Sequence, residues 1–182
     1  NRWGNPDFDC SSSVISAWTK VGVDVKGAGA STTSNMYDVF TKMGFVDVIS
    51  QINLSTGDGL QRGDVLLSSG SHTAMYCGNG KIVHASSSRG NSQSGDQSGT
   101  EFLVANYYNK PWNHILRYQP SGTGKGGKYG RGKGYTQSQV ARTVYGLGKA
   151  VAAASGKTAT NSYKSYSNSI KSVNNSKISI RD

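Results

Sequence analysis

The chain is poor in the residues that hold metals. Its 182 residues contain two cysteines, Cys10 and Cys77, and three histidines, His72, His84 and His114. A structural zinc site takes four Cys/His ligands at tight spacing, and here both the number and the clustering are missing. No metal and no cofactor is expected. Acids are scarce too, with ten Asp/Glu against twenty Lys/Arg. A glycosidase needs a positioned carboxylate pair. The last third of the chain has a single acid, Asp182, so it cannot be a muramidase. No apolar run approaches the ~18–20 residues that span a bilayer, so no transmembrane segment is expected. There is no initiator Met and no signal-peptide pattern, so a processed product or an excerpt of a longer chain is expected. Two cysteines could pair in an exported chain and would stay apart in a reducing one, and the count does not choose.

The charge that is present is unevenly placed. Residues 1–120 balance nine Lys/Arg with nine Asp/Glu, whereas residues 121–182 carry eleven Lys/Arg and one acid, so the whole net charge of +10 lies there. A basic appendage on a neutral domain suggests a polyanionic partner: nucleic acid, a teichoic-acid-bearing wall or an anionic membrane. Composition changes at Pro120. Residues 121–134 are rich in Gly, Lys and Arg and read as a linker. Residues 135–182 form a basic, partly helical tail, with Val140, Val144, Leu147 and Val151 at helical spacing. The tail has too few apolar residues for its own core, so it is expected to dock or target.

The stretch Phe8-Asp9-Cys10-Ser11-Ser12-Ser13-Val14-Ile15-Ser16-Ala17-Trp18 organises the rest. Val14, Ile15 and Trp18 fit one buried helical face, which puts Cys10 at the start of a helix running to about Val21. Free amides and the positive dipole end favour an anion there. A thiol in that setting is expected to have a lowered pKa. A buried structural cysteine is the bland alternative.

Further along, Met36, Val39, Phe40 and Met43 predict a second helix closed by Gly44. A strand is expected over Phe45 to Ile52 and another over Gly63 to Leu67. His72 to Cys77 and Lys81 to Ala85 flank Gly78-Asn79-Gly80, a hairpin signal. Residues 86–100 read as a loop, and strands are expected over Phe102 to Ala105 and His114 to Tyr118. Helices first and antiparallel strands afterwards indicate an α+β domain over residues 1–120.

A cysteine nucleophile needs a base. His72 opens a hairpin strand, where its imidazole could face a helix packed on the sheet. His84 depends on register. A two-residue turn would set it opposite Met75, on the face away from His72. A three-residue loop would set it opposite Ala74 and on the same face as His72, able to orient it. The second register is expected. Cys77 then has the opposite parity to His72 and packs as a small hydrophobe, which argues against a Cys10–Cys77 disulfide.

Four segments in order carry a resemblance: Phe8 to Val14, Gln61-Arg62-Gly63-Asp64-Val65, His72 to Tyr76, and Gly78 to His84. Together they resemble the NlpC-type papain-like cell-wall hydrolases, most of all the bacteriophage peptidoglycan-hydrolase and amidase branch with its Pal-type endolysins. The resemblance implies a papain-like fold and a cysteine peptidase or amidase acting on the peptide stem of peptidoglycan, without a cofactor. By position it makes Cys10 the nucleophile, His72 the general base and His84 the residue that orients His72. It places Asp9 and Ser11 at the motif flanks, shaping the site or touching substrate, and makes Arg62-Gly63-Asp64 a structural turn. The family's aromatic residue upstream of the cysteine is absent or replaced by Trp3, which is thereby a candidate substrate contact. The enzyme would act at the bacterial wall, secreted, released at lysis or carried on a virion. The basic tail, which the family core lacks, would anchor it to the wall or to a larger phage assembly.

Two other readings stand beside this one. The first is a non-catalytic wall- or nucleic-acid-binding protein on a papain-like scaffold, favoured if the thiol and imidazole do not meet. The second is nucleic-acid binding by the Lys/Arg/Tyr-rich tail, although it carries no recognised motif. Tyr107, Tyr108, Trp112 and Tyr118 are either groove-lining aromatics or ordinary core and surface ones.

Overall fold

The computed structural model describes Trp3 and residues 9–20, 22–85 and 102–119. The expected linker, basic tail and 86–100 loop lie outside these residues, as does most of the stretch before Asp9. Two helices, α1 (Cys10–Lys20) and α2 (Met36–Lys42), precede most of the strands. The strands are β1 (Phe45–Asp47), β2 (Val65–Ser68), β3 (His72–Gly78), β4 (Lys81–Ala85), β5 (Phe102–Asn106) and β6 (His114–Tyr118). They form one six-stranded sheet in the order β1-β6-β2-β3-β4-β5, with every pairing antiparallel. The α+β expectation holds.

Asp9 starts α1. Its Oδ1 accepts the Ser12 amide at 2.7 Å, and the Ser12 hydroxyl accepts the Asp9 amide at 2.8 Å. This reciprocal box satisfies amides that a helix start leaves open. Ser11, Ser12 and Ser13 are buried, and their hydroxyls bond within the same turn, to Asp9 and to the Cys10 carbonyl. The next turns bury Val14, Ile15, Ala17 and Trp18 completely. Each such side chain contributes roughly 1.5–3 kcal/mol by leaving water.

Helix α1 lies against β3 and β4, and α2 against β1 and β6. Under them sits one core that includes Val65, Leu67, Met75, Cys77, Val83, Val104 and Leu116. Trp18 meets Phe45 edge-on, with ring centroids 4.7 Å apart. The other sheet face carries a second core of Leu66, Ala74, Ile82, Ile115, Val48 and Trp112. Ile52, Leu54 and Leu60, from the segment between β1 and β2, pack against it. Both faces are therefore covered, which is why β2 is buried along its whole length.

The strand expected over Phe45 to Ile52 ends early, at Asp47. The Asp47 carboxylate accepts the Ile49 amide at 3.1 Å and turns the chain into a 3-10 turn at Ile49–Gln51. Asp and Asn divert backbone in this way because their short side chains mimic a turn carbonyl.

The turn before β2 is held by a buried ion pair. Arg117 donates to both Asp64 oxygens, at 2.8 and 2.6 Å, and to the Gly59 carbonyl at 3.0 Å. Asp64 Oδ2 also accepts the Gln61 amide. Arg62-Gly63-Asp64 is thus a structural turn, as expected, with Gly63 at φ 95°.

Candidate functional site

The β3–β4 hairpin decides where the two central histidines go. Asn79 and Gly80 both have positive φ, 53° and 65°. Two adjacent left-handed residues are the signature of a tight two-residue hairpin turn, and Asn-Gly tolerates it best. Gly78 pairs with Lys81 across this turn. Continued without interruption, that register would set His84 opposite Met75. A bulge between Tyr76 and Gly78 intervenes, and beyond it Tyr76 faces Ile82 and Met75 faces Val83. His84 is therefore in register with Ala74. The expected juxtaposition is present, but a two-residue turn plus a bulge at Cys77 produces it, where a three-residue loop was expected. A bulge adds one residue to one strand and inverts the parity of all that follows.

The outcome is a direct contact. His72 Nε2 lies 2.8 Å from His84 Nδ1, with the rings edge-to-face at 75°. Trp112, only 3% exposed, stacks along His72 at 6.2 Å between centroids. Tyr108, 40% exposed, stands 6.0 Å from His84 and 6.1 Å from Trp112. The two histidines are buried behind an aromatic wall that opens to solvent at Tyr108. Of the four aromatics singled out from the sequence, two line this place. Tyr118 packs in the helix-side core against Trp18, and the Tyr107 hydroxyl bonds to the Leu54 carbonyl.

By strand parity His72 shares the face of Ala74 and Tyr76, whereas Met75 and Cys77 lie under the helices. Cys10, half-buried at the first position of α1, lies near the neighbouring residue, and the Thr73 backbone draws its thiol pKa down. Cys10 and His72 thus share one end of β3, but no hydrogen bond joins them in this structure.

The charge states differ from expectation too. Burial pushes the Cys10 thiol up from its ordinary value, and the Asp9 carboxylate pushes the same way. The amides of Thr73, Ser11 and Cys10 itself pull down without prevailing. Burial, aided by Lys110, lowers His72 to about 4. Burial thus works against both the thiolate and the imidazolium in the unliganded chain. Three amides favour the thiolate, as a helix start does, but desolvation outweighs them.

Of the flanking residues, Asp9 caps α1 and Ser11 donates to the Asp9 carboxylate at 2.9 Å. Trp3 packs on the helix-side core, with the Lys26 ammonium 4.1 Å above its ring. Cys10 and Cys77 are both free thiols. Among the described residues no three His/Cys/Asp/Glu side chains converge as a metal site would require, and no helix is long and apolar enough to cross a membrane.

A third histidine, which sequence reasoning gave no role, is also fixed by a partner. His114 Nδ1 lies 2.7 Å from Asp47 Oδ2, and Tyr37 of α2 stacks on the imidazole at 4.1 Å. Asp47 and His114 are 67 residues apart in sequence, so only β1–β6 pairing could reveal the contact.

No curated protein and no solved structure matches the chain. Residues 4–83 match the family model of the Endolysin-like domain, a span that includes Cys10 and His72 and stops one residue before His84, so this segment resembles an endolysin and suggests a phage-lysin type of function at the cell wall.

Proposed function

We propose that the chain is a bacterial cell-wall hydrolase of the phage-lysin type, built on a papain-like scaffold, that cleaves an amide bond of the peptidoglycan stem with Cys10 as nucleophile. The observation that carries the proposal is the 2.8 Å contact between His72 Nε2 and His84 Nδ1 at the end of the strand whose Thr73 backbone meets Cys10. With Nε2 held by His84, Nδ1 is the ring nitrogen left for the sulfur. The endolysin-like match over residues 4–83 supports the substrate class.

The chemistry follows from these positions. Cys10 Sγ attacks the amide carbon as its proton passes to His72 Nδ1, forming a C–S bond and an oxyanion. The Cys10 amide at the helix start stabilises that oxyanion in this reading. Collapse breaks the C–N bond, and the imidazolium returns the proton to the departing amine. Water, deprotonated by His72, then hydrolyses the thioester and restores the thiol. His84 keeps His72 in one tautomer and orientation throughout. Because burial works against both charged forms and no hydrogen bond joins the two groups, substrate must draw the thiol and imidazole together, as unliganded hydrolases often require. Asp9 and Ser11 shape the floor of the site through the cap, Trp3 borders it, and the basic residues 121–182 anchor the enzyme to the wall or to a larger phage assembly.

The test is digestion of purified cell walls, with the new termini identified by mass spectrometry. New amine termini that vanish in Cys10→Ala support the proposal, and the bond is read from the fragments. Lysis that persists in Cys10→Ala overturns it. A second reading, a non-catalytic wall- or nucleic-acid-binding protein, is favoured by the missing sulfur–imidazole hydrogen bond. It requires wall or nucleic-acid binding with no new termini, and for nucleic acid a steep salt dependence.

A further inference from the structure

One dipeptide of the β3–β4 hairpin carries a chemistry that the reaction above does not use. Asn79-Gly80 is the one Asn-Gly pair in the chain. Asparagine is thermally labile, because the next residue's backbone nitrogen can attack its carboxamide carbon. Glycine offers that nitrogen with no side chain in the way, and open space surrounds the place where a Cβ of Gly80 would stand. Both residues are exposed. The Asn79 carboxamide makes no hydrogen bond among the described residues, so the electrophile is free to turn.

The nucleophile is restrained instead. Gly80 N–H donates to the Tyr76 hydroxyl at 2.9 Å. The Gly80 carbonyl accepts the Tyr107 amide at 2.7 Å, and the Tyr107 hydroxyl is tied in turn to the Leu54 carbonyl. Asn79 is held at φ 53° between Gly78 and Lys81, which pair across the turn. A two-residue Asn-Gly turn closes through its backbone alone, so the Tyr76 hydroxyl adds a restraint that the turn does not itself require. Before the Gly80 nitrogen can attack, it must give up the proton it shares with Tyr76.

We propose that Asn79-Gly80 is a self-modifying site and that the Tyr76 hydroxyl is its guard. When the Tyr76 bond opens, the Gly80 nitrogen attacks Asn79 Cγ. A new C–N bond forms, the carboxamide C–N bond breaks, and ammonia leaves with the Gly80 proton. Water then opens the succinimide ring. Attack of water at Cγ leaves aspartate. Attack at the former main-chain carbonyl leaves isoaspartate, whose main chain runs through Cβ and Cγ and is longer by one methylene. Both products carry a new negative charge. The consequence reaches the histidines, because the register that sets His84 opposite Ala74 is built on a two-residue turn and one bulge. An extra main-chain atom at position 79 lengthens that turn and displaces the side chains of β4 relative to those of β3. Isoaspartate therefore parts His84 from His72, whereas aspartate, which tolerates the same left-handed position, does not.

The test ages the full chain in warm, mildly alkaline buffer. Peptide mapping by mass spectrometry reads the change from amide to acid, and chromatography separates aspartate from isoaspartate. The native chain should convert slowly and the urea-unfolded chain much faster. Tyr76→Phe keeps the ring and removes the hydroxyl. It should convert about three- to tenfold faster than the parent when native, the effect of one neutral hydrogen bond, and at the parent rate in urea. The histidine contact is read separately, from the imidazole nitrogen resonances. Asn79→Asp supplies the charge without the extra atom and should keep those resonances, whereas the isoaspartyl fraction should lose the pattern of a bonded pair. Equal native rates for the parent and Tyr76→Phe overturn the guard. Native conversion as fast as in urea overturns it as well, whether or not Tyr76→Phe folds. An isoaspartyl fraction with unchanged imidazole resonances overturns the link to the histidines.

Discussion

His72 Nε2 and His84 Nδ1 face each other at 2.8 Å across the β3–β4 hairpin. One of the two nitrogens must carry the proton, so each ring fixes the tautomer of the other. If His84 only orients His72, its replacement should be milder than loss of the base. His72→Ala should lower wall hydrolysis by about a thousandfold or more, whereas His84→Gln, which can still hydrogen-bond, should lose roughly ten- to a hundredfold. Turbidity loss of purified walls at matched folded protein measures both, and equal losses would remove the hierarchy.

The thiol should behave as a buried one. Burial raises the Cys10 pKa from its ordinary value, so alkylation by iodoacetamide in the free protein should be slow near neutrality and still be climbing at pH 9. Peptide mapping distinguishes Cys10 from Cys77, which is 1% exposed. A reactivity plateau reached by pH 7 would show a thiolate pair already present.

His72 also predicts how stability varies with pH. Its pKa falls from 6.5 in the unfolded chain to about 4 in the fold. Between these values the unfolded chain binds the extra proton, so stability decreases as pH drops from 6.5 towards 4 and is unaffected by this group above 6.5. Allowing for partial solvent access, the loss is on the order of 1–2 kcal/mol. Urea midpoints compared at pH 7 and pH 4.5 measure it. His72→Phe should flatten that part of the profile.

The Asp64–Arg117 pair lies in the covered half of the sheet. Removing one partner leaves the other charge buried, so Asp64→Asn or Arg117→Met alone should cost about 3–5 kcal/mol. The double replacement should cost less than the two single ones added together. Chemical denaturation of the four proteins closes the cycle, and additive losses would mean that the pair acts only through its backbone contacts.

Much of this architecture was legible in the chain. Val14, Ile15 and Trp18 at helical spacing placed α1, and Asp9 followed by serines marked its start. The parity of His72, Ala74 and Cys77 foretold which side chains share a face. What was not legible depended on competing forces or on distant partners. The amides near Cys10 could be foreseen, but the extent of burial that overrules them could not. Asp47 looked like a strand residue, because the backbone it captures at Ile49 and Ile115 becomes visible only once β6 lies beside β1. The hairpin reads from sequence as a three-residue loop, Gly78-Asn79-Gly80, whereas the structure makes a two-residue turn at Asn79-Gly80, because the bulge at Cys77 has no local signature.

That bulge gives the hairpin an authority out of proportion to its size. It lies on the helix side of the sheet, and yet it chooses which surface receives His84. Were Cys77 drawn into the ladder opposite Ile82, the strands would stay paired and His84 would fall opposite Met75. That register would turn His84 beneath the helices and take from His72 its imidazole partner, leaving Trp112 beside it. Sliding by one residue at this turn therefore dismantles the histidine pair while sparing the sheet.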